Sequence, residues 1–352
     1  MYPALAVLKA ISKETEAILW VGSQKGIEAA LVKREGVAFD SIPAAGVHGV
    51  GLKSLPGNII HLIRGTVASL RIINRFKPDV LFFTGGYVAV PMAVAGCFKP
   101  SVLFVPDIEP GLALKVLSFF AHSIALCVEE SRSFFPGYKK MQTTGYPIRP
   151  GLDQWDPASA RKQFGLEPQK PVLLFFGGSL GAHSINRFVM GHLQGLLEKT
   201  QILHICGRSD WQEAQEIHDS LDKNLAARYH VFEFLHEEMG AALAAADLVI
   251  SRAGASTLGE FPHFELPAIL IPYPHAWRYQ KVNAAYLQAH GGAWMVKDGS
   301  MEAELMPLIL DLLEHPEKLK EMREKMARLN RPSAARDIAA LIKQTAGKGA
   351  QS

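Results

Sequence analysis

The sequence predicts an α/β protein made of two doubly wound domains with parallel sheets. Three observations carry that expectation. Short, nearly unbroken runs of Val, Ile, Leu and Phe recur along the chain. Amphipathic stretches with apolar residues at helical spacing separate most of them. The Gly-, Pro- and Asp-rich segment "TTGYPIRPGLDQWDPASA" then breaks the alternation near the middle. Runs of that kind are strands buried on both faces beneath crossover helices. A length of 352 residues suits two domains, at about 150 residues each. The boundaries expected are 1–150, 151–330 and a helical tail over 331–352.

The elements follow in chain order. "MYPALAVLKAI" reads as a helix, with Pro3 in the first turn, where its missing N–H has no partner to lose, and Leu5, Val7, Leu8 and Ile11 at helical spacing. "AILWVGS" reads as a buried strand and "GIEAALVKREG" as the next helix. "DVLFFTGG", "SVLFVPD" and "SIALCV" complete the strands of the first domain. "PVLLFFGG", "ILHICG", "YHVFEF", "DLVISRAG", "LPAILIPY" and "GAWMVK" supply those of the second. "EHPEKLKEMREKMARLN" and "SAARDIAALIKQ" read as closing helices.

Composition excludes several classes. The chain is 48% hydrophobic and 20% charged, as a folded protein with a full core is. A net charge of +3 is too small to indicate nucleic acid. Cys97, Cys127 and Cys206 are far apart and form no CxxC, which reads as reduced thiols without structural zinc. No apolar run is long enough for a transmembrane helix, and charged residues interrupt any secretory signal at the N-terminus.

Four stretches carry chemistry. In "LLFFGGSLGAHSINRF" a strand ends at Gly177-Gly178 and a helix is expected from near Gly181, which reads as a phosphate cradle or as a plain tight turn. In "SRAGASTLGE" a helix start near Ala255-Ser256 offers N–H groups and two hydroxyls to an anion, and Glu260, one turn in, suits the vicinal hydroxyls of a ribose; the alternative is a capped helix with a solvated Glu260. In "PYPHAWRYQKVNAAY", His275, Arg278, Gln280 and Asn283 follow a strand end, and Gln280 both donates and accepts, as sugar hydroxyls require. In "GYPIRP", Arg149 is placed to clamp a diphosphate or to bridge the two domains. The fingerprint GxGxxG is absent, which disfavours a nicotinamide enzyme. A basic, apolar stretch adds a further feature. No acidic residue falls between Asp40 and Asp79, whereas Lys53, Arg64, Arg71, Arg75 and Lys77 do, interleaved with Leu52, Ile59, Ile60, Ile63, Val67 and Leu70. It reads as a face lying on a bilayer or as a core helix with a solvated basic side.

"FTGGYVAVP", "GYPIR", "GGSLGA", "SRAGASTLGE", "LPAILIPYPH" and "QKVNA" together resemble, in order and spacing, the MurG-type bacterial glycosyltransferases of family 28, which act in peptidoglycan synthesis. The resemblance runs over nearly the whole chain. It implies the GT-B fold, two Rossmann-like domains facing across a cleft. It implies an inverting transfer of N-acetylglucosamine from UDP-N-acetylglucosamine to a polyprenyl-pyrophosphate-linked muramyl pentapeptide. The setting implied is the inner face of the cytoplasmic membrane, with no nucleic acid, no cofactor and no metal; no Asp-x-Asp is present to hold one. For the donor it implies Arg149, Ser179, Leu235 (facing the uracil through its backbone), the run Ala255, Ser256, Thr257, Leu258, Gly259 and Glu260, and Gln280. For the acceptor it implies Gly85, Gly86 and Tyr87. The chain departs from the family at Leu180 and Trp277, where the family has Gln and Asp. Phe104, Val105, Pro106 and Asp107 replace a His-Glu-Gln-Asn run, which leaves Asp107, and after it Glu109, as general-base candidates. In the family a first strand and a glycine-rich loop ending in the proposed base precede "YPALAV", so the resemblance implies that both are missing here. The rival readings are a lipid glycosyltransferase with another acceptor, a sugar-nucleotide epimerase of the same fold, and an inactive UDP-sugar-binding remnant.

Overall fold

The computed structural model describes residues 1–23, 28–44, 55–178, 181–274 and 279–349. The chain forms two compact units, Met1–Arg149 with Pro332–Ser352, and Pro150–Arg331. The first holds β1 (Leu19–Ser23), β2 (Ala38–Ile42), β3 (Leu81–Phe83), β4 (Ser101–Val105), β5 (Ser123–Leu126) and β6 (Lys140–Thr143). The second holds β7 (Val172–Phe176), β8 (Gln201–Ile205), β9 (Tyr229–Phe232), β10 (Leu248–Ser251), β11 (Ala268–Leu270) and β12 (Ala293–Met295). All strand pairs are parallel.

In the first unit β1 pairs with β2, and β3 to β6 pair in sequence order. The period-2 geometry of a strand explains why β4 is apolar from Val102 to Val105. Val102 and Phe104 point to one face, against Val7 and Ile11 of the helix Tyr2–Ile11 and Ile338 and Ile342 of the tail helix Ala334–Gly349. Leu103 and Val105 point to the other, against Ile72, Ile73 and Met92. The tail helix thus closes one side of the first unit's core.

Two differences from the sequence reading have physical causes. β2 and β6 are strands that no continuous apolar run marks. Each pairs with one neighbour, and their side chains are partly exposed, so no apolar run is required. Conversely, "AILWVGS" was expected to be buried, yet most of β1 is half-exposed. One edge of β1 pairs with β2; its other side and β3 border a cavity of about 580 Å³, lined by Val7, Leu8, Trp20, Ile73 and Phe82 among others.

In the second unit the strand order is β12-β11-β10-β7-β8-β9. From β7 the chain winds outward through β8 and β9, then returns to β10 and winds the opposite way. β7 and β10 therefore flank the switch point, where open parallel sheets bind ligands beyond the strands' carboxyl ends. Phe188, Val189 and Leu193 of the helix His183–Lys199, and Leu305 and Ile309 of the helix Met301–Glu314, share one cluster with Leu173, Phe175, Ile202 and Ile250 of the strands.

Ile338 is fully buried against β4 and the first helix. Ile338→Ala is expected to destabilise the first unit by about 2–4 kcal/mol, read as lost amide-exchange protection in β4 and β5. Unchanged protection there would show that the tail helix contributes nothing to this core.

Candidate functional site

At the end of β7 the chain turns through glycines whose conformation or surroundings disfavour a side chain. Gly178 and Gly181 have φ of +86° and +78°. A Cβ on Gly177 would collide with the backbone of Gly181 and Ala182, and one on Gly181 with the carbonyl oxygen of Cys206. The Gly181 N–H donates to Gly178 O at 3.0 Å. The helix starts at His183 rather than near Gly181. Ser179 and Leu180 lie outside the described residues, as do His275, Trp277, Arg278, Leu52 and Lys53.

Across the switch point, the segment after β10 enters the helix Thr257–His263, so Ala255 and Ser256 precede the helix instead of opening it. Its first turn is more self-satisfied than the sequence suggests. The N–H groups of Thr257, Leu258 and Gly259 donate to the carbonyls of Gly254, Ala255 and Ser256, and the Thr257 hydroxyl donates to Gly254 O at 2.7 Å. The N–H groups of Gly254, Ala255 and Ser256 and the Ser256 hydroxyl take no part in these bonds. Thr257, Leu258, Gly259 and Glu260 are all buried. Glu260 is 6% exposed, so it is not the solvated helix residue of the bland alternative.

Gln280, in the first turn of the helix Tyr279–Ala289, uses its carbonyl to accept the Tyr273 N–H at 2.8 Å. That engages one lone pair of the carbonyl and leaves the amide NH₂ out of this bond. Asn283, grouped with it by sequence, is fully buried and ties this helix to the segment after β10 through Ala253 O. Leu235 is buried in the segment after β9.

In the first unit, Gly85 and Gly86 turn the chain after β3 with φ of +101° and +86°, and Tyr87 beside them is exposed. Asp107 follows the neighbouring strand β4 and is half-buried; Glu109 is buried. Burial, and then the Asp107 charge, push the Cys127 thiol far above its usual range. Arg149 stacks its guanidinium on the Tyr2 ring, 4.3 Å from the centroid, within the same unit.

Sequence reading missed two polar clusters around the β7 turn, because their members come from separate strands and loops. Arg252, after β10, donates to Asp298 at 2.5 Å, to Ser184 Oγ at 2.7 Å and to Ile271 O at 3.1 Å, while Ser184 also donates to Asp298. The second cluster is a chain. Tyr229 OH lies 2.8 Å from His204 Nδ1, His204 Nε2 3.0 Å from Asn186 Oδ1, Asn186 Nδ2 2.6 Å from Asp210, and Asp210 2.8 Å from His183 Nδ1. Burial pushes the His204 pKa down to about 3, against a smaller opposing pull from Asp210. Among the described residues no three His, Cys, Asp or Glu side chains are grouped as metal ligands. No helix among them is long and apolar enough to cross a membrane.

Comparison with known proteins gives the family. Residues 1–126 match the glycosyltransferase family 28 N-terminal domain and residues 172–340 the family's C-terminal domain. A UDP-N-acetylglucosamine--N-acetylmuramyl-(pentapeptide) pyrophosphoryl-undecaprenol N-acetylglucosamine transferase of Roseiflexus sp. is 38% identical, covering 95% of this chain and 85% of that one. The protein of the same description from Desulforamulus reducens is 35% identical over 96% and 93%. The crystal structure of Acinetobacter baumannii MurG aligns with a TM-score of 0.77 at 27% identity, covering 97% of this chain and 95% of that one. A UDP-GlcNAc 2-epimerase from Neisseria meningitidis, at 11% identity, 97% and 96% coverage and a TM-score of 0.69, shares the fold alone.

His204 gives the second unit an acid sensitivity. The unfolded chain takes up a proton on this residue below about pH 6.5, whereas the folded chain does so only near pH 3. Between those values the unfolded state binds more protons, so stability falls as pH falls, by up to about 1.4 kcal/mol per pH unit. From pH 7 to 5 the urea midpoint is expected to drop in the wild type and to drop less in His204→Gln. Parallel slopes would assign the acid sensitivity to other groups.

Proposed function

The chain belongs to glycosyltransferase family 28, and from that premise we propose that it transfers N-acetylglucosamine from UDP-N-acetylglucosamine to undecaprenyl-pyrophosphoryl N-acetylmuramyl pentapeptide. One observation carries the reading: two relatives described by that activity, at 38% and 35% identity, each span nearly all of this chain. The residues around the β7–β10 switch point suit a nucleoside diphosphate sugar. In this reading Ser179 and the N–H groups of Ala255 and Ser256 meet the phosphates, and Arg149 adds a cation to the diphosphate. Glu260 accepts from the ribose hydroxyls, the backbone at Leu235 meets the uracil, and the Gln280 amide donates to the sugar.

The chemistry is a single displacement. The acceptor's hydroxyl oxygen bonds to the anomeric carbon as the bond from that carbon to the β-phosphate oxygen breaks, which inverts the centre. The electron pair leaves with UDP, so donors fixed around the diphosphate lower the barrier. Asp107, less buried than Glu109, is the residue of the first unit proposed to take the hydroxyl proton. Gly85, Gly86 and Tyr87, on the neighbouring strand's turn, are proposed to receive the acceptor.

We further propose that the helix Leu55–Phe76 holds the protein on the cytoplasmic face of the membrane. Gly65, Ser69, Ile72 and Ile73 face the core. The outward side is not polar throughout: Ile60, Ile63, Val67 and Leu70 are 49%, 60%, 44% and 43% exposed and lie in one stripe. Arg64, Arg71 and Arg75 flank it, with Arg75 paired to Asp40 at 2.5 Å. An apolar stripe edged by cations suits an anionic interface.

Two outcomes are expected. Labelled sugar passes from UDP-N-acetylglucosamine to the lipid-linked muramyl acceptor; Glu260→Ala weakens UDP binding by about 1–3 kcal/mol, and Asp107→Asn lowers kcat by about 10²–10⁴. Transfer at the wild-type rate by both variants would overturn the roles given to these carboxylates. In flotation with anionic vesicles, wild type rises with the lipid, and Ile63→Asp and the double variant Arg64→Glu/Arg71→Glu remain below. Wild type remaining below at low salt would overturn the membrane reading.

A further inference from the structure

The hydrogen-bonded chain that ends at His183 has one consistent direction. Tyr229, His204, Asn186 and Asp210 are 1%, 0%, 0% and 6% exposed. Burial pushes the Tyr229 phenol far above its usual range, so it is protonated and donates. His204 is neutral and accepts at Nδ1, which places its proton on Nε2, facing Asn186 Oδ1. That contact fixes the Asn186 amide, whose NH₂ donates to Asp210 and also to Cys206 O at 2.7 Å. Asp210 is left as a carboxylate accepting from His183 Nδ1–H. The last ring differs from all the others: its side chain is 70% exposed.

The Asn186 bond to Cys206 O ties the helix to the end of β8, and the same chain of buried groups also fixes the His183 imidazole. His183 is the first residue of the helix that leaves the β7 glycine turn. Its backbone neighbour Ser184 is held by Arg252 and Asp298. With Nδ1 occupied by Asp210, only Nε2 is available outward, at the carboxyl end of β7 beside the switch point.

We propose that His183 contacts the diphosphate of the UDP-sugar donor through Nε2, with Asp210 and Asn186 as its positioning residues. The proposal rests on the transferase reading above and adds to it a residue that neither the composition nor the glycine turn singled out. In the imidazolium form Nε2–H donates to a phosphate oxygen, and the bond strengthens as the anomeric carbon–oxygen bond breaks and its electron pair moves onto UDP. No proton is transferred: the acceptor's proton leaves by its own base, and UDP departs with the hydrogen bond intact.

The test compares calorimetric affinities of UDP and uridine for the full chain. His183→Ala is expected to lose about tenfold or more in UDP affinity while keeping its uridine affinity. His183→Arg, a cation suited to phosphate, is expected to keep most of both. Asp210→Asn is expected to weaken UDP binding in the wild-type background and to add little in the His183→Ala background, as a residue acting through His183 must. A wild type that binds neither ligand overturns the transferase reading. A wild type that binds UDP, with His183→Ala binding it equally, overturns this inference alone. So does an equal loss for uridine and UDP, which is the mark of a merely structural role, or an Asp210 effect of the same size in both backgrounds.

Discussion

The second unit depends on one close approach: Gly181 against the carbonyl of Cys206. The turn after β7 and the end of β8 meet there with no room for a side chain. The same carbonyl accepts from Asn186, in the first turn of the helix that follows the glycine turn. The contact therefore sets where that helix starts and how it is rotated. From it follow the buried position of Asn186, the reach of His183 to Asp210, and the placement of Ser184 against Arg252 and Asp298. A residue with a Cβ at Gly181 would separate the turn from β8 and move all of these together. Because β7 and β10 flank the switch point, it would also move one wall of the proposed donor site relative to the other.

Much of this was legible in the sequence, for identifiable reasons. Strands buried on both faces are apolar at nearly every position, each of β4, β5 and β10 carrying only a terminal serine, so these strands and β7 announce themselves. β2 and β6 do not, because a strand that pairs on one side and is half solvated is free to carry Asp40, Ser41, Lys140 and Gln142. The glycine turn was legible because its geometry excludes other residues. Glu260 was singled out in the sequence as a candidate, but its burial was not legible there. That depends on how the Thr257–His263 helix packs, which no local pattern records.

The chemistry of single side chains was less legible than their positions. Sequence alone makes Gln280 a donor and an acceptor and gives the 255–260 segment two free hydroxyls. In the structure the Gln280 carbonyl holds Tyr273 and the Thr257 hydroxyl holds Gly254. Asn283 looked like part of a polar cluster and proves to be a buried tie. Each change has the same cause: backbone groups at strand ends and helix starts must find partners, and nearby polar side chains supply them first. What these bonds leave for a ligand includes the Gln280 amide NH₂ and the Ser256 hydroxyl. The network from Tyr229 to His183 was invisible because its members are drawn from β8, β9, a helix and a loop, with no spacing in common.

The helix Leu55–Phe76 shows how magnitudes decide between two readings of one pattern. Its residues suit a core helix and a membrane helix, and the structure shows one buried face and one exposed apolar stripe. Arg75 is engaged with Asp40, which leaves Arg64 and Arg71 as the less committed cations, at about 1 kcal/mol each beside anionic lipid. That is too little to hold a protein by itself. Fully burying an Ile, Val or Leu side chain contributes about 1.5–3 kcal/mol, and the four stripe residues are already about half-covered, so the stripe adds on the order of 4 kcal/mol. Neither part suffices alone; together, on the membrane reading proposed above, they would give contact that forms and breaks. An enzyme whose acceptor is anchored in lipid and whose donor is dissolved in water requires that kind of contact: enough to meet the acceptor at the interface, and not so much that the protein becomes part of the membrane.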